Sequence, residues 1–323
     1  MTTSTSVPAP TYPLLQRDQA RHRWWRPLAV GLTALGLYAA TMLAAVVAVV
    51  LAGLVDPALG ASIEQGWTDD VDLRDPLTFA LLLVSVILML PALLVATRLV
   101  GSRPVGLLSS VAGRLRYRWL LTATLVALAI WVPVMGAAFA VTAATGSLQV
   151  RQVAPGTAVA LLVLTLALVP LQAAAEEYVF RGYLAQLVGS WLRHPAFAVV
   201  LPVPLFVLGH DYGPVGAIDV AAFALLCGWL AWRTGGLEAP IAAHVANNVV
   251  LMSFNALGLG DPNATDATVV DLLVSTGTMA VFAVVVTRRA DALNLARRRL
   301  PSAKAALPTE QPTGTRAEAD LVR

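Results

Sequence analysis

Residues 158–188 read AVALLVLTLALVPLQAAAEEYVFRGYLAQLV, and this stretch decides the class of the fold. Its first eighteen residues carry no charge. A helix needs about 20 mostly apolar residues to cross ~30 Å of hydrocarbon. The stretch is long enough to do so, yet it holds Glu176, Glu177 and Arg181. Similar apolar runs lie on either side: Pro27–Val55, Leu77–Val100, Trp119–Ala144, Pro195–Gly209, Val215–Trp232, Gly236–Leu257 and Val269–Thr287. Together they predict an all-α, polytopic membrane helix bundle of eight spans. The run Pro195–Gly209 is short and contains Pro202 and Pro204. A kinked helix at that depth is tolerated only against protein or a water-filled cavity.

Composition agrees with that reading. Of 323 residues, 58% are hydrophobic and 13% charged, with a mean hydropathy of +0.73. Soluble domains carry roughly 25% charged residues, so this chain cannot cover a water-facing surface. A soluble enzyme and a disordered protein are both excluded. Cys227 is the sole cysteine, which excludes a disulfide framework and any multi-cysteine metal site. No basic-aromatic patch suggests a nucleic-acid partner. The first apolar run has 29 residues, too long for the h-region of a secretory signal at roughly 7–15. It reads as the first span.

The charges orient the bundle. With both termini cytoplasmic and eight spans, eighteen arginines fall on the cytoplasmic side and two, Arg74 and Arg151, outside. That asymmetry fits the positive-inside rule. Asp56, Glu64, Asp69, Asp70, Asp72, Asp75, Asp261 and Asp266 fall in the outer loops. The expected organisation is a cytoplasmic N-terminal tail (1–26), three spans (27–157), a functional core (158–257), an outer loop with the last span and a basic end (258–299), and a disordered cytoplasmic tail (300–323). No internal repeat of the inverted-transporter kind is evident. The location that follows is a cell membrane, with the lipid bilayer as solvent.

Ionisable residues at membrane depth cost several kcal/mol and mark function. The fourth span holds Glu176, Glu177 and Arg181; the fifth holds F-V-L-G-H, ending at His210; the seventh holds H-V-A-N-N, with His244, Asn247 and Asn248. Glu177 and Arg181 are four residues apart, so they share a helix face and can pair. Glu176 points about 100° away and is left without that partner. His244 and Asn248 also share a face; Asn247 is turned off it, which suits a helix–helix hydrogen bond. Cys227 reads as core.

A glutamate and a histidine can hold a water, with the carboxylate taking its proton. A carboxyl in low dielectric moves toward the range that suits a general base. A second histidine and an amide can donate to a developing oxyanion. The set describes a water-activating amide hydrolase without a Ser or Cys nucleophile. G-x-S-x-G and H-E-x-x-H do not occur. Three other readings use the same residues: a zinc peptidase with Glu176, His210 and His244 as ligands, a proton-coupled transporter, and a non-catalytic immunity protein.

In order and spacing, E-E-Y-V-F-R, F-V-L-G-H and H-V-A-N-N match E-E-x-x-x-R, F-x-x-x-H and H-x-x-x-N. Over about residues 160–255 the chain thus resembles the CPBP family of intramembrane glutamic endopeptidases. That group includes type II CAAX prenyl proteases and bacteriocin-processing or Abi-type proteins. G-L-E-A-P-I-A-A-H, residues 236–244, is also typical. The resemblance implies a helical bundle around a conical cavity open to the cytoplasm. It implies Glu176 as general base, His210 as a holder of the water, His244 and Asn248 as the oxyanion hole, and Glu177 and Arg181 as support. No cofactor is implied. The substrate would be a peptide or protein at the membrane. Arg-rich, Lys-poor usage suggests a high-GC bacterium, where protein prenylation is unusual, so a prenylated substrate is disfavoured.

Overall fold

The computed structural model describes residues 9–17, 19, 21–57, 60, 72–102, 104–146, 148 and 150–299. The tail after 299, together with Glu64, Asp69, Asp70 and Arg103, lies outside the described residues. The helices are α1 (Arg26–Val55), α2 (Pro76–Ile87), α3 (Met89–Val100), α4 (Tyr117–Ala144), α5 (Pro155–Glu177), α6 (Ala185–Trp191), α7 (Pro195–Val200), α8 (Val203–Leu208), α9 (Pro214–Thr234), α10 (Glu238–Ala256) and α11 (Val269–Ala292). No strand occurs among the described residues. α2 and α3 continue one another through Leu88, and α5 runs through a π-helical turn, Tyr178–Leu184, into α6.

Six of these runs are long and apolar enough to cross a membrane: α1, α2–α3, α4, α5–α6, α9 and α11. Leu32, Leu35, Leu43 and Leu51 of α1, Leu121 and Leu125 of α4, and Leu166 of α5 are all exposed. Such a girdle is stable only in lipid. The two other predicted spans differ from that pattern. Pro195–Gly209 is not one helix. It is two six-residue helices, α7 and α8, broken around Leu201 and Pro202. Fourteen residues of α-helix rise roughly 21 Å, short of ~30 Å of hydrocarbon. The seventh predicted span is α10, a 19-residue helix that holds Glu238, His244, Asn247, Asn248 and Asn255.

α10 sits in the middle, packed between α4 and α5; α2 lies against α5, α9 against α11, and α1 covers α3 from outside. Small residues permit the close approach. Ala173 and Ala175 of α5 and Ala239, Ala242, Ala243 and Ala246 of α10 are fully buried. Trp131 of α4 meets Phe282 of α11 edge-on at 5.5 Å.

Polar ties mark the two ends of the bundle. At the arginine-rich end, Arg116 donates from its backbone N–H and from Nε and Nη2 of its guanidinium to Glu238, at 2.6–2.9 Å. Val111 and Leu237 N–H groups donate to Gly235 and Ser109 carbonyls across the same junction. Gly235 has φ +73°, the left-handed residue that ends α9. A Cβ on it would come within 2.8 Å of the Ala296 carbonyl, and one on Gly236 within 2.7 Å of Glu238, Ser110 and Arg116. Across this end the segment before α1 meets the one after α11. Thr11 pairs with Arg298, the Arg299 N–H donates to Pro10, and the buried Tyr12 hydroxyl donates to the Leu108 carbonyl. At the opposite, acidic end, Arg151 pairs with Asp261 at 2.7 Å, Asn263 donates to Asp72 and accepts from the Leu73 N–H, and Gly213 N–H donates to Thr265.

The last of these bonds decides what the broken pair does. α7 leaves the arginine-rich end, where α6 finishes, and Gly213 is fastened at the acidic end. Residues 195–213 therefore traverse the bundle although no single helix does. Reporter fusions after His194 and after Gly213 should read opposite sides of the membrane; the same side would make α7–α8 a re-entrant loop. The Arg116–Glu238 pair is almost wholly buried, and removing one partner of such a pair costs about 3–5 kcal/mol. Glu238→Ala should lose stability of that order, read by thermal unfolding in detergent.

Candidate active site

Glu176 and Glu177 close α5 immediately before the π-helical turn. Turns of this kind insert a residue into the helical repeat and are frequent at functional sites. Arg181 Nη1 donates to Glu177 Oε1 at 2.9 Å, the pairing expected from their spacing. A second donor reaches the same oxygen from α10: His244 Nδ1, also at 2.9 Å. By accepting from Nδ1–H, Glu177 fixes the ring and turns the Nε2 edge toward Glu176. Glu176 Oε2 lies 3.5 Å from that nitrogen, beyond ordinary hydrogen-bond range, and has no hydrogen-bond partner. The two glutamates thus have different surroundings. Glu177 is held by a guanidinium and an imidazole, whereas Glu176 borders the imidazole untied. The group is enclosed: Glu177 is 0%, His244 3% and Glu176 9% exposed. The open cone that the resemblance implies is not the form seen at these side chains.

Asn248 lies one turn beyond His244. Its Nδ2 is 3.4 Å from Gln172 Oε1, and its Oδ1 accepts from Asn247 Nδ2 at 3.0 Å. Asn247 Oδ1 accepts from Trp131 Nε1 of α4 at 3.1 Å. Asn247 therefore makes the helix–helix bond expected of it and also orients its neighbour. Gln172 was not anticipated. It stands one turn before Glu176 on the same face, and that four-residue spacing was the available signal. An uncharged amide simply did not stand out in an apolar run.

His210 is placed less directly. Its Nδ1 is bonded to the Phe206 carbonyl at 2.8 Å, one turn back in its own segment. Among the described residues no bond joins it to Glu176 or His244. Phe206 comes between the two imidazoles, with ring centroids 4.6 Å from His210 and 6.3 Å from His244. The Arg181 guanidinium lies over the Phe206 ring at 4.2 Å, a cation–π contact strengthened by burial. The first residue of F-V-L-G-H thus joins three functional side chains, a role its apolar character did not announce. Cys227 is buried in the core, as expected. Among the described residues, no group of three or more His, Cys, Asp or Glu side chains is arranged to hold a metal ion.

Arg181 is 3% exposed and leans on Glu177. Glu177→Gln removes the charge that balances it and loosens His244. The expected loss is about 3–5 kcal/mol, measurable as a lower unfolding temperature in detergent.

Comparison with known proteins points the same way. A relative in Bacillus subtilis (strain 168), the uncharacterized protein YyaK, is 26% identical over 238 residues, covering 71% of this chain and 77% of its own. No solved structure matches. Residues 155–250, which contain Gln172, Glu176, Glu177, Arg181, Phe206, His210, His244 and Asn248, match the Rce1-like type II CAAX prenyl endopeptidase family.

Proposed function

We propose that the chain is a membrane-embedded endopeptidase that cleaves a peptide bond with a water activated by Glu176. The observation that carries this reading is the arrangement of Glu177, His244 and Glu176. One carboxylate, balanced by Arg181, fixes an imidazole, and the other borders that imidazole with a buried oxygen lacking a partner. Glu176 takes a proton from water as the water oxygen attacks the carbonyl carbon, and the carbonyl pair moves onto its oxygen. The Asn248 amide donates to that oxyanion, as does the Nε2–H of His244 in its imidazolium form, whose Nδ1–H stays on Glu177. When the intermediate collapses, the C–N bond breaks and Glu176 passes the proton to the leaving amine. His210 completes the water site from the end of α8. Glu177 and Arg181 position His244, and Asn247 positions Asn248. The chemistry assigned here uses side chains alone, with no cofactor.

The substrate in this reading is a peptide or membrane-anchored protein precursor. A bacterial relative and the arginine-rich composition support an unprenylated one. The arginine-rich end faces the cytoplasm, as the positive-inside rule requires, and the chain resides in the cell membrane.

Glu176→Gln should abolish hydrolysis while the protein stays folded, and uncleaved precursors should accumulate in cells that carry it, as read by comparative proteomics. An unchanged set of cleaved peptides would refute the proposal. Removing one oxyanion donor costs about 100–1000-fold in turnover. Asn248→Ala should lose that much in single-turnover kinetics, with little change in substrate affinity. Asn247→Ala acts only through its neighbour and should lose less. Equal losses would take the oxyanion role away from Asn248.

A further inference from the structure

α8 ends at Leu208, so His210 stands beyond the helix that leads to it. Two carbonyls of that helix hold it: the His210 N–H donates to Val207 at 3.0 Å, and Nδ1 is bonded to Phe206 at 2.8 Å. A carbonyl oxygen only accepts, so the proton of the neutral ring sits on Nδ1 and Nε2 keeps its lone pair. Nε2 is therefore the nitrogen able to accept from a water. The last torsion of a histidine side chain is broad, so one bond at Nδ1 sets the direction of Nε2 only loosely. Phe206 adds a ring contact, tilted by 46° at 4.6 Å.

A second ring lies beside the imidazole. The Tyr212 plane is within 18° of it, with centroids 6.2 Å apart, inside the range over which aromatic pairs attract. Tyr212 is 44% exposed, so burial alone does not fix it. Its seat is on α9. Gly216, in the first turn of that helix, is buried. A Cβ there would come 2.9 Å from Tyr212 Cβ and 3.2 Å from its Cγ, closer than real Cβ atoms approach, so only glycine leaves the seat open. The residue after Tyr212, Gly213, donates to Thr265 at 3.0 Å, in the segment that joins α10 to α11.

We propose that Tyr212, seated on Gly216, is a positioning residue for His210: its ring joins Phe206 in confining the imidazole, so that Nε2 is held toward the water shared with Glu176. The inference rests on His210 as a holder of that water. α10 carries His244, and the segment after α10 fastens Gly213, so the same contacts set His210 relative to His244. The stack uses the tyrosine ring and not its hydroxyl. An exposed aromatic could instead touch the peptide, and the two roles separate kinetically: substrate contact moves KM, whereas positioning moves kcat.

Two readouts on the full-length protein test this. The first needs no substrate. In detergent, with isotope-labelled histidine and His210→Asn to assign its signals, magnetic resonance of the ring nitrogens reports which of them carries the proton. Tyr212→Ala and Gly216→Ala should each replace the single Nδ1–H form of His210 by an average of two tautomers, and Tyr212→Phe should keep the single form. The second uses a peptide from the precursors that accumulate with Glu176→Gln. Misplacing a catalytic group by about 1 Å can cost roughly 100-fold. Tyr212→Ala should lower kcat by about 10–100-fold with KM little changed, Tyr212→Phe should restore it, and Gly216→Ala should add nothing in a Tyr212→Ala background. Alanine is the better helix former at 216, so a fall in kcat there without a lower unfolding temperature marks a displaced ring. Unmoved His210 signals in both alanine variants, an unreduced kcat, a rise in KM alone, or failure of Tyr212→Phe would overturn the inference and leave the hydrolase standing. A Glu176→Gln strain without accumulating precursors would overturn the hydrolase and with it the role of His210, even if the nitrogen signals moved.

Discussion

One carboxylate oxygen, Glu177 Oε1, accepts from both Arg181 and His244, and the site is arranged around it. A lone carboxylate in this interior would be strongly disfavoured, as would a lone guanidinium. Each is tolerated because the other is within 2.9 Å. Satisfying the charge also fastens the π-helical turn after α5 to the middle of α10. The imidazole is then held in one orientation, with its second nitrogen directed at Glu176. The alanines on both helices bring the backbones near enough for this to happen. Larger side chains at Ala173, Ala242 or Ala246 would push α10 away from α5.

The membrane sharpens these preferences. Lipid offers no hydrogen bonds, so a polar group in the bundle must find its partner on another helix. The amide chain from Trp131 through Asn247 and Asn248 to Gln172 is an example, joining α4, α10 and α5 in a single line. Asn247 and Asn248 each donate and accept, and Gln172 accepts at the end, so the line has one consistent direction. That direction leaves the Asn248 N–H end against Gln172, the weakest link at 3.4 Å.

Much of this was legible in the sequence, for identifiable reasons. Helix class follows from apolar runs long enough for lipid. The different surroundings of Glu176 and Glu177 follow from a 100° step, because only one of two adjacent residues can face Arg181. Other features depend on neighbours that spacing does not report. The fifth predicted span reads as an apolar helix, but Pro202 and Pro204 break its ladder of backbone bonds, and α7 and α8 result. His210 lies four residues after Phe206, which suggested a shared helical face, yet the helix ends at Leu208 and its Nδ1 returns to the backbone. Glu238 lay inside a recognised stretch and Arg116 in a basic loop. Their pairing joins positions 122 residues apart, and no local pattern could announce it. Gln172 is uncharged, so it does not show as an anomaly until the facing helix is in place.

The contact between the segment before α1 and the segment after α11 bears on how the protein is made. A ribosome delivers Tyr12 before α1 and Arg298 after α11, so every described membrane helix is made between the two. The pairing of Thr11 with Arg298 therefore waits until α11 has been made, whereas Tyr12 can meet Leu108 much earlier. A nascent chain stalled within α11 would leave the Thr11–Arg298 contact at the arginine-rich end unformed.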